Sequence, residues 1–327
     1  MKTSINMTAV DSDMNRFADR EHLRHFYKDK GIDGIELMMC GVKDIPDKIT
    51  QEDIQGLHLG FFPSWYNFWI GNKKALDEEF GDRQTWITYY GGENPQDMLK
   101  GWEAELELAK HLGVKYVVFH VSESSLEECV TYRWKHSDQE ICDKACEIIN
   151  CLLDGKDYDF YFLAENLWWS GLNLTDPSVT RRLMEGIHYP KKGIMLDTGH
   201  LLHTNNSLRT QSEGVQYIHS VLNQHGDLCR YIKGIHLNQT MSGEYVRDFL
   251  KNPIQLTGNH RQQLSQVYPH IFKIDSHLPF TAEGAAELIC RIAPKFLTYE
   301  LITSSLQEHE EKLLAQLKAI ERNGGLQ

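Results

Sequence analysis

No two cysteines in this chain have the Cys-x-x-Cys spacing, and their total of seven is odd. Reduced thiols fit that pattern better than a disulfide framework. No apolar run approaches the length of a membrane span, and the first residues, Met1-Lys-Thr-Ser-Ile-Asn, hold no apolar signal core. A cytoplasmic protein without membrane partners is therefore expected. Positive charge is in deficit, with 34 Lys and Arg against 46 Asp and Glu and a net charge of −12. That excludes a broad basic surface for coating nucleic acid. It leaves open a local cation site that binds phosphate. There is no Gly-x-Gly-x-x-Gly and no Walker A sequence. The phosphate loop expected of an open doubly wound sheet is thus missing. No linker rich in Pro, Gly or Ser and no low-complexity stretch divides the 327 residues. Hydrophobic residues make up 41% and charged residues 24%, ordinary for a globular chain.

What is present is a recurrence. Short β-rich runs alternate with longer polar or amphipathic stretches. The runs are Thr3–Thr8, Gly34–Met38, Gly56–Phe61, Tyr116–Val121, Phe160–Glu165, Gly193–Leu196, Ile232–Leu237 and Phe296–Leu301. Strands alternating with helical patterns read as βαβ units. Eight of them predict an α/β fold, a single (β/α)₈ TIM barrel over residues 1–327. The spacing of Met98, Trp102, Leu106, Ala109 and Leu112 predicts a helix within 95–113, stopped by Gly113. Helical patterns recur at 140–153 and 308–320. Two connections are long: Phe61–Gly92, rich in aromatic residues, and Asn238–Ile274, with an insertion at about 239–274. Both follow strands, so both belong on the catalytic face as lids or substrate walls.

Ionisable residues sit at the ends of the apolar runs. His58 ends the third, His120 the fourth and Glu165 the fifth. Asp197 and His200 end the sixth, His236 the seventh and Glu300 the eighth. Charge there is costly unless paired or bound to a metal. A barrel brings its strand ends to one mouth, so seven such residues at one end point to a metal site rather than to packing. Imidazole and carboxylate ligands suit zinc first, with Mn, Fe, Co or Mg as alternatives. For His203, near the motif, a surface or loop role is expected ahead of one that orients a metal-bound imidazole. Trp168-Trp169, just after Glu165, would suit stacking on a sugar ring, a flipped nucleotide or plain packing.

With these motifs the sequence resembles the xylose-isomerase-like TIM-barrel superfamily (AP endonuclease family 2), which holds sugar isomerases and epimerases and endonuclease IV. The isomerase branch implies one metal at Glu165, Asp197, His236 and Glu300. Glu165 and Glu300 would then act as acid/base partners, and His200 would contact the sugar. The endonuclease IV branch implies three metals and nine ligands. His58 and His120 match the first metal's histidines, with Glu165 bridging to a second metal completed by Asp197, His236 and Glu300. His200, Asp275 and His277 match the third.

The sequence departs from endonuclease IV after His236 and after His58, and from the epimerases at position 242. Asp275 lies 275 − 236 = 39 residues beyond His236, where that family keeps the pair close behind. Leu-Gly-Phe-Phe follows His58 in place of the Tyr-Leu pair that invades DNA. Position 242 is Ser242, where an epimerase often has Arg. The resemblance implies a metal-dependent enzyme that hydrolyses a phosphoester by metal hydroxide at a polynuclear site. A sugar or sugar-phosphate isomerase is the alternative, and a non-catalytic binding barrel a third reading. A small phosphorylated or sugar substrate is expected rather than duplex DNA.

Overall fold

In the computed structural model, which describes residues 1–322, eight parallel strands close into a barrel. They are β1 (Lys2–Thr8), β2 (Gly34–Met38), β3 (Ile54–His58), β4 (Tyr116–His120), β5 (Tyr161–Glu165), β6 (Lys192–Asp197), β7 (Ile232–Leu237) and β8 (Phe296–Tyr299). Each pairs with the next in the chain, and β8 closes on β1 through Lys2↔Phe296 to Ile5↔Tyr299. All eight predicted runs are strands. Gly34–Met38 and Ile232–Leu237 match to the residue, the other six shift by a residue or more at one or both ends, and Glu300 lies one residue past β8. No described helix is long and apolar enough to cross a membrane.

The connecting helices carry their own start and stop signals. Pro95–Leu112 begins with a capping box between Asn94 and Asp97 and ends at Gly113, whose φ of 62° is the left-handed conformation that glycine adopts freely. Asp138–Leu153 and Gln211–His225 open with the boxes Ser137/Glu140 and Thr210/Glu213. Their apolar faces cover the barrel. Leu106, Ile141, Ile149, Leu183 and Ile218 join strand residues Val117, Phe119, Phe162, Ile194 and Leu237 in one core.

The two-residue period of a strand sends neighbouring side chains to opposite sides. On β4, Val117 and Phe119 face the helices, whereas Tyr116 and Val118 pack with Leu163, Met195 and Phe296 inside the barrel. His58, His120, Glu165, Asp197, His236 and Glu300 share the parity of these inward residues. The barrel interior is therefore an apolar plug at the start of the strands and a polar cluster at their ends.

The two long connections are folded excursions. The first holds short helices at Tyr66–Trp69, Lys73–Phe80 and Arg83–Tyr90, packed around Phe68, Phe80, Trp86 and Tyr90. The second holds Gly243–Phe249 and His260–Ile274. They meet where His260 stacks on Phe80, with ring centroids 4.3 Å apart.

Candidate metal centre

Glu165 is the hub. It leaves the end of β5 fully buried, and its two oxygens face different sets of histidines. Oε2 lies 3.1 Å from Nε2 of His58 and 3.1 Å from Nε2 of His120. Oε1 lies 3.1 Å from Nδ1 of His236 and 3.4 Å from Nδ1 of His200. Nδ1 of His236 is also 3.1 Å from Glu300 Oε2. Asn238 donates from Nδ2 to Asp197 Oδ2 at 2.6 Å and to Glu300 Oε2 at 3.3 Å, holding the two carboxylates together. Asp197 also caps the next helix, accepting from the His200 N–H at 2.6 Å. That cap fixes the position of His200 relative to the strand end.

The pair most distant in sequence arrives as well. Asp275 Oδ2 is 3.2 Å from His200 Nε2, and Oδ1 is 3.0 Å from His277 Nε2. The second excursion is closed at its neck, which explains how they return. Gln239 and Leu278 exchange both backbone hydrogen bonds at 2.9 Å, as an antiparallel bridge. The Ser276 N–H donates to Thr240 Oγ1 at 3.1 Å. The separation of 39 residues in sequence is thereby reduced to two facing segments. His277 has a φ of 43°. For a residue other than glycine this left-handed backbone costs about 1–2 kcal/mol and marks a position where side-chain direction dominates.

All nine residues singled out in the sequence, His58, His120, Glu165, Asp197, His200, His236, Asp275, His277 and Glu300, thus converge. One expectation needs correction. His203 is buried, not on the surface; its Nε2 is 3.3 Å from Asp275 Oδ1 and its Nδ1 is 3.0 Å from Ser242 Oγ. Of the uses open to Trp168-Trp169, the structure displays packing. Both rings are buried with Val130, Val246 and Ile274, and Trp168 lies against His200 and His203. One residue went unnoticed. Glu36, in the middle of β2, is buried and lies 2.9 Å from His236 Nε2. Its signal was the same as that of the others: a carboxylate inside an apolar run.

The electrostatics suit cations. Burial raises Glu165, but the charge of His236 and His120 outweighs it and holds the carboxyl well below its usual range. Burial, assisted by the negative charge of Glu300, pushes Asp197 up to about 7 against the pull of His200. Burial would lower His277, yet Asp275 and Glu300 raise it to about 9. Four crowded carboxylates away from water cost several kcal/mol each unless positive charge meets them. Nδ1 of His120 and Nδ1 of His277 are buried without a hydrogen-bond partner, and His277 Nε2 meets Asp275 as an ion pair without hydrogen-bond geometry. Three donor groups lie within 4.8 Å among themselves: His58, Glu165 and His236; Asp197, His200 and His277; Glu165, Asp197, His236 and Glu300. Oxygen and imidazole donors with orphaned nitrogens fit divalent transition ions.

Phe61 is 43% exposed and lays its ring on His120, 4.4 Å between centroids. It lines a trough of about 820 Å³ with Met39, Val42, Phe62 and Trp102. A cleft of about 910 Å³ between the two excursions, lined by Glu79, Leu126, Lys135 and Leu256, touches none of the nine residues.

A family model described as xylose isomerase-like TIM barrel matches residues 25–289. Among solved structures, a putative xylose isomerase from Rhodospirillum rubrum is similar at 12% identity and a TM-score of 0.56, covering 99% of this chain and 100% of that one. Endonuclease IV from Thermus thermophilus is similar at 11% and 0.54, covering 98% and 100%. A D-tagatose 3-epimerase-like protein is similar at 12% and 0.52, covering 99% and 100%. At such identities the likeness is one of fold. No curated protein matches the sequence.

Proposed function

Because the chain belongs to the xylose isomerase-like TIM-barrel family, we propose that it is a divalent-metal-dependent hydrolase of a small phosphoester. The observation that carries this reading is the return of Asp275 and His277 to His200. A mononuclear isomerase has no need of that pair. In this reading His58, His120 and Glu165 would hold a first ion, and Glu165, Asp197, His236 and Glu300 a second. His200, Asp275 and His277 hold a third, and zinc suits this donor set first. Divalent ions supply Lewis acidity and a water of lowered pKa to phosphoester hydrolysis.

The protein's own part is placement and shielding. Glu165 is suited to bridging because its two oxygens face separate histidine sets. Asn238 keeps Asp197 and Glu300 facing one space. Trp168 and Phe61 wall that space with rings, which limits access by water and strengthens charge interactions within it. The net charge of −12 favours a small substrate over duplex DNA. The second reading is a sugar or sugar-phosphate isomerase. It is favoured by the four-residue group Glu165, Asp197, His236 and Glu300, which suffices for one ion.

The test is metal content per chain without chelators, followed by hydrolysis of bis(p-nitrophenyl) phosphate. More than one equivalent is expected, together with turnover that the double substitution Asp275→Ala, His277→Ala abolishes. A hydrolysis rate untouched by that substitution would overturn the proposal. A single equivalent, with isomerase activity that survives His58→Ala, His120→Ala, would favour the second reading.

A further inference from the structure

We infer that Glu36 is a positioning residue that fixes which nitrogen of His236 faces the metal and raises the basicity of that ligand. This rests on reading the cluster as a metal centre. Glu36 lies on β2, across the barrel from β7, and is buried. Its Oε2 accepts from the Tyr116 hydroxyl at 2.7 Å and from Thr298 Oγ1 at 2.8 Å. Nε2 of His236 is 2.9 Å from Oε1 and 3.0 Å from Oε2. The imidazole is thus caught between carboxylates on both sides, for its Nδ1 faces Glu165 and Glu300 at 3.1 Å each.

A buried carboxylate needs a donor at each oxygen. Tyr116 and Thr298 serve Oε2, and the ring N–H of His236 is the donor placed within reach of both oxygens. A proton held at Nε2 leaves a lone pair at Nδ1, directed into the space between Glu165 and Glu300. Without positive charge there, that lone pair would face two anionic oxygens, which is repulsive; a cation resolves the conflict. A carboxylate behind a ligating imidazole holds both its tautomer and its ring orientation. The Tyr116 and Thr298 donors keep Glu36 from turning away, so the order runs from the barrel floor to the site.

The test uses zinc alone as the probe. In wild-type protein labelled with ¹⁵N at histidine, the zinc-loaded form should show His236 with a protonated Nε2 and a ligating Nδ1. Glu36→Gln keeps the size but loses the charge. It should weaken one zinc equivalent by about 10- to 100-fold in chelator competition and shift the His236 N–H resonance, with the remaining zinc unchanged. Zinc affinity within twofold of wild type in folded Glu36→Gln would overturn the inference, because a merely structural carboxylate would alter stability and leave affinity alone. So would Nε2 as the ligating nitrogen in wild type, a result that needs no variant. Wild-type protein that takes up no zinc overturns both this inference and the metal reading. Zinc uptake without phosphoester turnover counts against the hydrolase alone and leaves the Glu36 measurements to decide this inference.

Discussion

Alanine at Gly56 should disrupt the floor of the site. A Cβ there would stand 2.3 Å from Tyr116 Cζ and 2.4 and 2.7 Å from the two Cε atoms. Carbon atoms in contact sit about 3.5–4.0 Å apart, so the ring must move by more than 1 Å. It has little freedom to do so. Tyr116 is buried, its ring lies 4.4 Å from that of Phe296, and its hydroxyl is held by Glu36 at 2.7 Å and Thr298 at 3.0 Å. Forced overpacking costs about 1–3 kcal/mol. Losing a hydrogen bond to a charged group adds about 1.5–3 kcal/mol. Gly56→Ala should therefore destabilise by about 3–5 kcal/mol in urea unfolding followed by circular dichroism. In a Tyr116→Val background the obstacle is gone, and the same substitution should cost less than about 1 kcal/mol, a coupling above the range for independent sites. An equal cost in both backgrounds would refute the steric argument, and a cost under 1 kcal/mol in the wild-type background would refute the rigidity assigned to the ring.

Burial alone would push Asp53 up, but hydrogen bonds from Arg24, Thr50 and Tyr27 bring its carboxyl down to about 2. A depressed carboxyl stabilises the fold above its unfolded pKa of about 4 and ceases to do so as pH falls through 2. Between pH 5 and 2, wild type should lose about 2 kcal/mol more than Asp53→Asn in acid-dependent unfolding; parallel curves would remove the network from the account. Gln316 is buried and bridges two backbone groups, donating to the Leu237 carbonyl at 2.8 Å and accepting from the Phe280 N–H at 2.7 Å. Gln316→Leu should cost about 2–4 kcal/mol through two unpaired groups, with faster hydrogen exchange at the Phe280 amide; unchanged exchange there would contradict it. Ala293 is exposed and ends its helix with a φ of 50°. Ala293→Gly should stabilise by about 0.5–1 kcal/mol in thermal unfolding, and a loss would show that the left-handed turn is not strained.

The strands were legible because their apolar runs are bounded by polar, Gly and Pro residues, a local signal that tertiary contacts reinforce. The polar residues of the mouth were legible for a related reason. His58, His120, Glu165, Asp197 and His236 each end a run that would otherwise be wholly apolar. Glu36 carried the same mark but lies mid-strand, one step below the mouth, where only the barrel's cross-section puts it behind His236. His203 looked like a loop residue because its partners come from elsewhere: Asp275 from the end of the second excursion and Ser242 from its start.

The sequence by itself determined the eight-strand barrel, its polarity and the six strands that deliver the polar cluster, because strand period and the cost of burying charge act locally. Only the tertiary structure decided whether Asp275 and His277 reach His200. Their approach depends on a two-residue bridge between Gln239 and Leu278, and pairing between segments so far apart leaves no periodic trace in the chain. The same holds for the floor. Gly56, Tyr116, Glu36, Thr298 and His236 come from five strands, and their contact is a property of barrel closure, which fixes the register that no single strand encodes.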